Sequence, residues 1–216
     1  MKVYKIPEDL RAIVFDIDGT LYTSSLYVFE QVDAQVRHFA HIRGMSEDQA
    51  REQIRHYRKT WSAQHGGRKI SLGNTLTAFG ISIQESIEWR NTLLEPERFL
   101  KPDPELRKVL IELGKKYKMV CVTNNPVPAA VKTLRAIGVE DILTSVIGLD
   151  TCLASKPNRK VLEAAVSLLN VQPEQCLSVG DRYDIDLALP LEMGMGAVLV
   201  SGAEDVYNLP SVVMNP

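Results

Sequence analysis

Five short, nearly unbroken apolar runs punctuate the chain, at residues 12–15, 119–122, 145–148, 176–179 and 197–200. Runs of that length with no polar alternation are what parallel strands buried on both faces look like. Amphipathic segments separate the later four. Asp103 caps a predicted helix with Pro104 in its first turn, and Leu106, Val109, Leu110 and Leu113 line one face of it. Asn125 and Pro126 open a second helix carrying Val131, Leu134 and Ile137, which Gly138 stops. Leu162, Ala165 and Leu169 mark a third ahead of Pro173. Strand–helix–strand alternation of this kind predicts an α/β fold with a doubly wound parallel sheet.

Residues 23–96 have a different texture. Phe29, Val32, Val36 and Phe39 form a stripe at helical spacing. Ser46 with Gln49 and Ser82 with Glu85 are capping-box pairs, each at the head of a helical pattern, and residues 66–69 (Gly-Gly-Arg-Lys) break the pattern between them. The first strand thus leads into a helical insertion before the α/β pattern resumes. The predicted organisation is a core of residues 1–22 and 97–216 with a smaller helical domain at 23–96.

Composition narrows the function classes. A net charge of −2 over 216 residues gives no basic excess of the kind nucleic-acid binders carry, so no nucleic-acid partner is expected. No apolar run approaches the ~20 residues of a membrane span. The N-terminus lacks the apolar stretch of a secretion signal, and Cys121, Cys152 and Cys176 are too few and scattered for a disulfide framework. A cytoplasmic setting is expected.

Chemistry collects at the strand ends. The first strand ends in Asp16-Ile17-Asp18-Gly19-Thr20, and alternation along an extended chain aims the two carboxylates at one place. A bare acidic pair after a strand is commonly a solvated turn; the full apolar-DxDGT-Leu string is more specific. Thr123-Asn124-Asn125-Pro126 follows the second apolar run and precedes a helix N-terminus, a place that suits an anion. Lys156 also precedes a helix. Asp181, Asp184 and Asp186 follow the 176–179 run and would repel one another without a cation among them. Arg51, Arg55, Arg58 and Lys59 form a basic helical face, solvated or able to steer an anionic substrate.

Together these four segments resemble the haloacid dehalogenase superfamily, in the family's motif order. The resemblance implies a Rossmann-like core with a helical cap that selects the substrate, and a soluble enzyme acting as monomer or homodimer. It implies that Asp16 is the nucleophile and that Asp18 protonates the leaving group and then activates water. Thr123, with help from the Asn124 backbone, would bind the phosphoryl oxygens, and Lys156 would neutralise charge between nucleophile and phosphate. Mg²⁺ would sit on Asp16, Asp18 (through its carbonyl) and Asp181, supported by Asp186 in preference to Asp184. Asp18 itself argues against dehalogenation, because the hydrolytic dehalogenases of this superfamily lack a second acid. The expected activity is Mg²⁺-dependent hydrolysis of a small phosphorylated metabolite, a sugar phosphate or nucleoside monophosphate, through an aspartyl-phosphate. The alternatives are a phosphomutase using the same residues and a non-catalytic phosphate-binding module.

Overall fold

The structure is a computed structural model and describes residues 1–214. The chain divides into two compact units, Met1–Ser25 with Glu95–Pro216, and Leu26–Leu94.

The first unit is built on a six-stranded sheet of β1 (Lys2–Lys5), β2 (Ala12–Phe15), β3 (Lys118–Val122), β4 (Val146–Ile147), β5 (Cys176–Gly180) and β6 (Gly196–Leu199), in the order β1-β6-β5-β2-β3-β4. All neighbours are parallel except β1, which runs antiparallel to β6 along one edge. The sheet is therefore mostly parallel rather than wholly so. β1 escapes a periodicity reading because every residue of Lys-Val-Tyr-Lys is exposed. Its order comes from backbone pairing with β6, not from burying a face. β2 is the opposite case: no residue of it is more than 2% exposed, as a central strand covered on both faces requires.

Register decides where the chemistry falls. Phe15 pairs with Cys121 on one side and Val179 on the other, so β2, β3 and β5 end flush. The segments leaving them, from Asp16, Thr123 and Asp181, emerge together at the carboxyl edge, where open α/β sheets bind ligands.

The second unit is helical, with α1 (Ser25–Arg43), α2 (Glu47–Gln64), α3 (Leu72–Ala78) and α4 (Ile83–Leu93). Both expected capping boxes form, Ser46 with Gln49 and Ser82 with Glu85. Ser71 caps α3, a helix too short to show in the apolar pattern. Val36, Phe39, Ala40, Ile54, Leu76, Ile81 and Trp89 are packed in the core of this unit. The stripe lies on α1, and it is covered over only part of its length. Val36 and Phe39 are buried, but Phe29 is 61% and Val32 42% exposed. Helical spacing says which residues share a face; it does not say how far along the helix that face is covered. Half of the basic face of α2 is matched by acids, while Arg58 donates to the Ile70 carbonyl (3.2 Å). Arg51 grips the buried Asp33 with two hydrogen bonds and also pairs with Glu47 and Asp48, while Arg55 pairs with Glu52. The Arg51 and Arg55 charges are locally neutralised, which weakens their share of any field that would steer a substrate.

Returning to the sheet, its crossovers include α5 (Pro104–Gly114), α6 (Val127–Ala136), α7 (Leu149–Cys152) and α8 (Arg159–Leu169). Asp103 caps α5 through the Leu106 amide, and Gly138, at φ +76°, ends the segment after α6. Among the described residues no helix is long and apolar enough to cross a membrane.

Candidate active site

Asp16 is the first residue past β2, and its amide still donates to Val179 O in the ladder (2.9 Å). That last sheet bond holds the residue at 4% exposure, with its carboxylate inside the protein. Lys156 reaches the same point from the loop before α8. Its Nζ lies 2.5 Å from Asp16 Oδ1 and 2.7 Å from Asp186 Oδ1, so one ammonium bridges two buried carboxylates. Burial pushes the Asp16 carboxyl up from its usual range, opposed by Lys156 and reinforced by Asp186 and Asp18. Burial acts to lower the Lys156 ammonium, but Asp16 and Asp186 outweigh it and hold the lysine above its ordinary value. The group therefore stays charged, which suits a site that receives an anion.

Asp186, not Asp184, is the acid turned into this cluster: Asp186 is 3% exposed, whereas Asp184 lies on the surface. A single wide turn over Tyr183–Leu187 swings Asp186 back under β5, where its Oδ2 accepts from the Arg182 amide (3.0 Å) and its carbonyl accepts from Ser178 Oγ (2.8 Å). Gly180 makes that return possible, because a Cβ there would sit 2.4 Å from Asp186 Cβ.

Asp181 completes the acidic set. Carboxylate oxygens of Asp16, Asp181 and Asp186 lie within 4.8 Å of one another. Asp181 Oδ1 is buried and accepts no hydrogen bond, with Arg182 Nε 3.5 Å away. Burial pushes the Asp181 carboxyl up as well, partly offset by Arg182. An unsatisfied buried carboxylate oxygen facing a second carboxylate is costly unless a cation sits between them. The donors are all oxygen, the set that suits Mg²⁺. Gly19 keeps the approach open: at φ +81° it turns the chain, and a Cβ on it would lie 2.7 Å from Asp181 Oδ2.

The Asp18 side chain points away from that cluster. Its Oδ1 accepts from Tyr22 OH (2.6 Å), and its Oδ2 accepts from Asn125 Nδ2 (2.9 Å) and Thr123 Oγ1 (3.3 Å). Thr123 is thus engaged with Asp18. The Asn124 side chain is committed elsewhere. Its Oδ1 accepts from the Lys156 amide (2.6 Å) and its Nδ2 donates to the Lys156 carbonyl (3.3 Å), a two-point grip on the lysine's backbone. At the head of α6 the Val127 amide donates to Asp150 Oδ1 (2.9 Å).

Tyr22 and Asn125 are therefore contacts that motif reading passed over. The available signal was proximity in sequence: Asn125 is two residues past Thr123, in the bend that follows β3, and Tyr22 is one turn beyond Asp18.

Fold and site together define a doubly wound α/β protein with a lysine-bridged, oxygen-rich acid cluster at the carboxyl edge of its sheet. The chain belongs to the haloacid dehalogenase-like hydrolases, whose family pattern it matches over residues 10–194. It is 24% identical over 206 residues to a glyceraldehyde 3-phosphate phosphatase of Methanothermobacter thermautotrophicus, covering 89% of this chain and 86% of that one. Among solved structures, an HAD phosphatase from Thermococcus onnurineus superposes with a TM-score of 0.61 at 24% identity, covering 94% of this chain and 97% of the other. An HAD-hydrolase from Bacillus subtilis, solved bound to magnesium, matches with a TM-score of 0.59 at 15% identity over 94% and 99% of the two chains.

Proposed function

We propose that this protein is a Mg²⁺-dependent phosphatase of small phosphomonoesters, with Asp16 as nucleophile, Asp18 as general acid and base, and the 26–94 unit as its substrate-selecting domain. The observation that carries this reading is the Lys156 ammonium held between Asp16 and Asp186 in a buried site. A carboxylate attacking a phosphate ester meets like-charge repulsion, and fixed positive charge at the point of attack is what lowers it. Asp16 and Asp181 with the Asp18 carbonyl would hold Mg²⁺, which would supply further neutralisation of the phosphoryl oxygens.

An Asp16 carboxylate oxygen bonds to phosphorus as the ester P–O bond breaks, and the departing oxygen takes a proton from Asp18. Water then attacks the phosphorus of the aspartyl-phosphate while giving its proton to Asp18. The P–O bond to Asp16 breaks, freeing the carboxylate and inorganic phosphate. Splitting one displacement into two lowers each barrier. Lys156 stays protonated throughout, and Asn124 holds the loop that carries it.

The relation to glyceraldehyde 3-phosphate phosphatases makes a phosphorylated three-carbon compound the first substrate to try. The test is release of inorganic phosphate from a panel of sugar phosphates, nucleoside monophosphates and glyceraldehyde 3-phosphate, with and without Mg²⁺. Mg²⁺-dependent release from at least one ester is expected. A bisphosphate product without net phosphate would make the protein a phosphomutase, and silence across the panel would overturn both.

Metal binding has a pH signature. Asp16 and Asp181 are both pushed up by burial, so without a cation their ionisation works against the fold. That part of the stability is present at low pH and lost as pH rises through the raised values. Mg²⁺ needs the ionised carboxylates and competes with protons for them. The gain in Tm on adding Mg²⁺ is therefore expected to be larger at about pH 8 than at about pH 5. With Mg²⁺ at a hundredfold excess over Kd the gain is about 2.7 kcal/mol. An equal gain at both pH values would separate these carboxylates from the metal.

A further inference from the structure

We propose that Tyr22 and Asn125 are positioning residues that give the two oxygens of Asp18 different tasks, Oδ2 as a fixed acceptor and Oδ1 as the oxygen that passes the proton. The proposal rests on the reading of Asp16 and Asp18 given above and deepens it.

The two sides of the carboxylate meet chemically different partners. At Oδ2 stands Asn125 Nδ2, 2.9 Å away, and a carboxamide NH₂ donates and never accepts. Thr123 Oγ1 adds a longer contact at 3.3 Å. The Thr123 hydroxyl oxygen itself accepts from the Asn125 amide (3.1 Å), which leaves its own proton free to point at Oδ2. Asn125 therefore acts twice, directly through its side chain and through Thr123 by its backbone. An oxygen facing these donors remains an acceptor whether or not Asp18 carries a proton.

At Oδ1 stands Tyr22 OH, 2.6 Å away. A phenol both donates and accepts. It can donate to Oδ1 when Asp18 is ionised and accept when Oδ1 carries the proton, so the contact is available in both states. The reach is fixed by the backbone, because an isolated bridge pairs Asp18 with Tyr22, and the tyrosine is only 4% exposed. In the first step the proton leaves Oδ1 for the departing ester oxygen as the P–O bond breaks. In the second, the proton of the attacking water arrives on Oδ1 as the aspartyl-phosphate P–O bond breaks.

Leaving-group chemistry tests this. A nitrophenolate departs with little help from a proton, whereas an alkoxide needs one. The ratio of kcat/KM for the best alkyl phosphate of the panel to that for p-nitrophenyl phosphate is measured in Tyr22→Phe and Asn125→Ala, with folding checked by thermal unfolding. In each variant the alkyl-to-aryl ratio is expected to fall about tenfold, the worth of one hydrogen bond to a charged group. Tyr22→Phe keeps the ring and its packing, so its result decides the matter if Asn125→Ala unfolds. Equal losses on both esters, or an unchanged ratio, would overturn the proposal. A wild-type protein that releases no phosphate, or an Asp16→Asn variant that keeps its activity, would overturn the underlying reading instead, and those controls are separate from the ratio.

Discussion

Replacing Asp16 with asparagine is expected to lower kcat by roughly four orders of magnitude or more, the scale seen when a nucleophile is removed from a cooperating set. Asparagine has almost the same shape, so a position only 4% exposed is left neither empty nor overfilled. Its amide oxygen still accepts from Lys156, whose ammonium also keeps its bond to Asp186. What is lost is the negative charge and the electron pair that attacks phosphorus. Two measurements check it together. Phosphate release at saturating substrate should collapse, while thermal unfolding should remain cooperative. Acid-quenched wild-type protein should retain label from a phosphorus-labelled substrate, released by hydroxylamine as an acyl phosphate is, and the variant should retain none. Residual turnover within tenfold of wild type would take the nucleophile's role away from Asp16.

How far this site was legible in the sequence depends on what each feature owes to local order. β2, β3 and β5 could be read because strands covered on both faces must be apolar throughout, and their ends located Asp16, Thr123 and Asp181 without further information. Lys156 sits 140 residues from Asp16, and only the resemblance to a motif order linked them. The hydrogen-bonding of the amides was hidden for a related reason. Asn124 and Asn125 are neighbours in one loop, yet one grips the Lys156 backbone and the other the Asp18 carboxylate. Their separate duties follow from which segments approach that loop in space. β1 is invisible to periodicity because it buries nothing, and the extent of cover on α1 is not legible because a periodic stripe carries no record of where its cover ends. Apolar pattern reports burial well, and reports hydrogen-bond partners hardly at all.

Lys156 is where catalysis and stability meet most directly, so Lys156→Met is expected to damage both. The side chain is about as long and stays apolar to its end, so packing along the stem is largely kept. The ammonium is lost, leaving Asp16 and Asp186 facing each other in a buried site with no cation between them. Removing one partner of a buried ion pair costs about 3–5 kcal/mol, a large share of the 5–15 kcal/mol that holds a typical domain. The cost should depend on pH, with a definite sign. Burial already pushes the Asp16 carboxyl up and Lys156 is the principal group opposing that, so the variant's Asp16 moves higher still. A carboxyl raised in the folded state contributes stability at low pH and loses it as pH rises through the raised value. The gap in Tm between variant and wild type should therefore be small near pH 5 and widen toward about pH 8. Activity should fall about a thousandfold, because the attack on phosphorus loses the fixed positive charge beside it. Added Mg²⁺ should recover part of the Tm at the higher pH, by neutralising Asp16 from the Asp181 side, and little of the rate. Unfolding curves at the two pH values, each with and without Mg²⁺, check all of this. A pH-independent Tm gap would mean that the lysine's contribution is packing rather than charge.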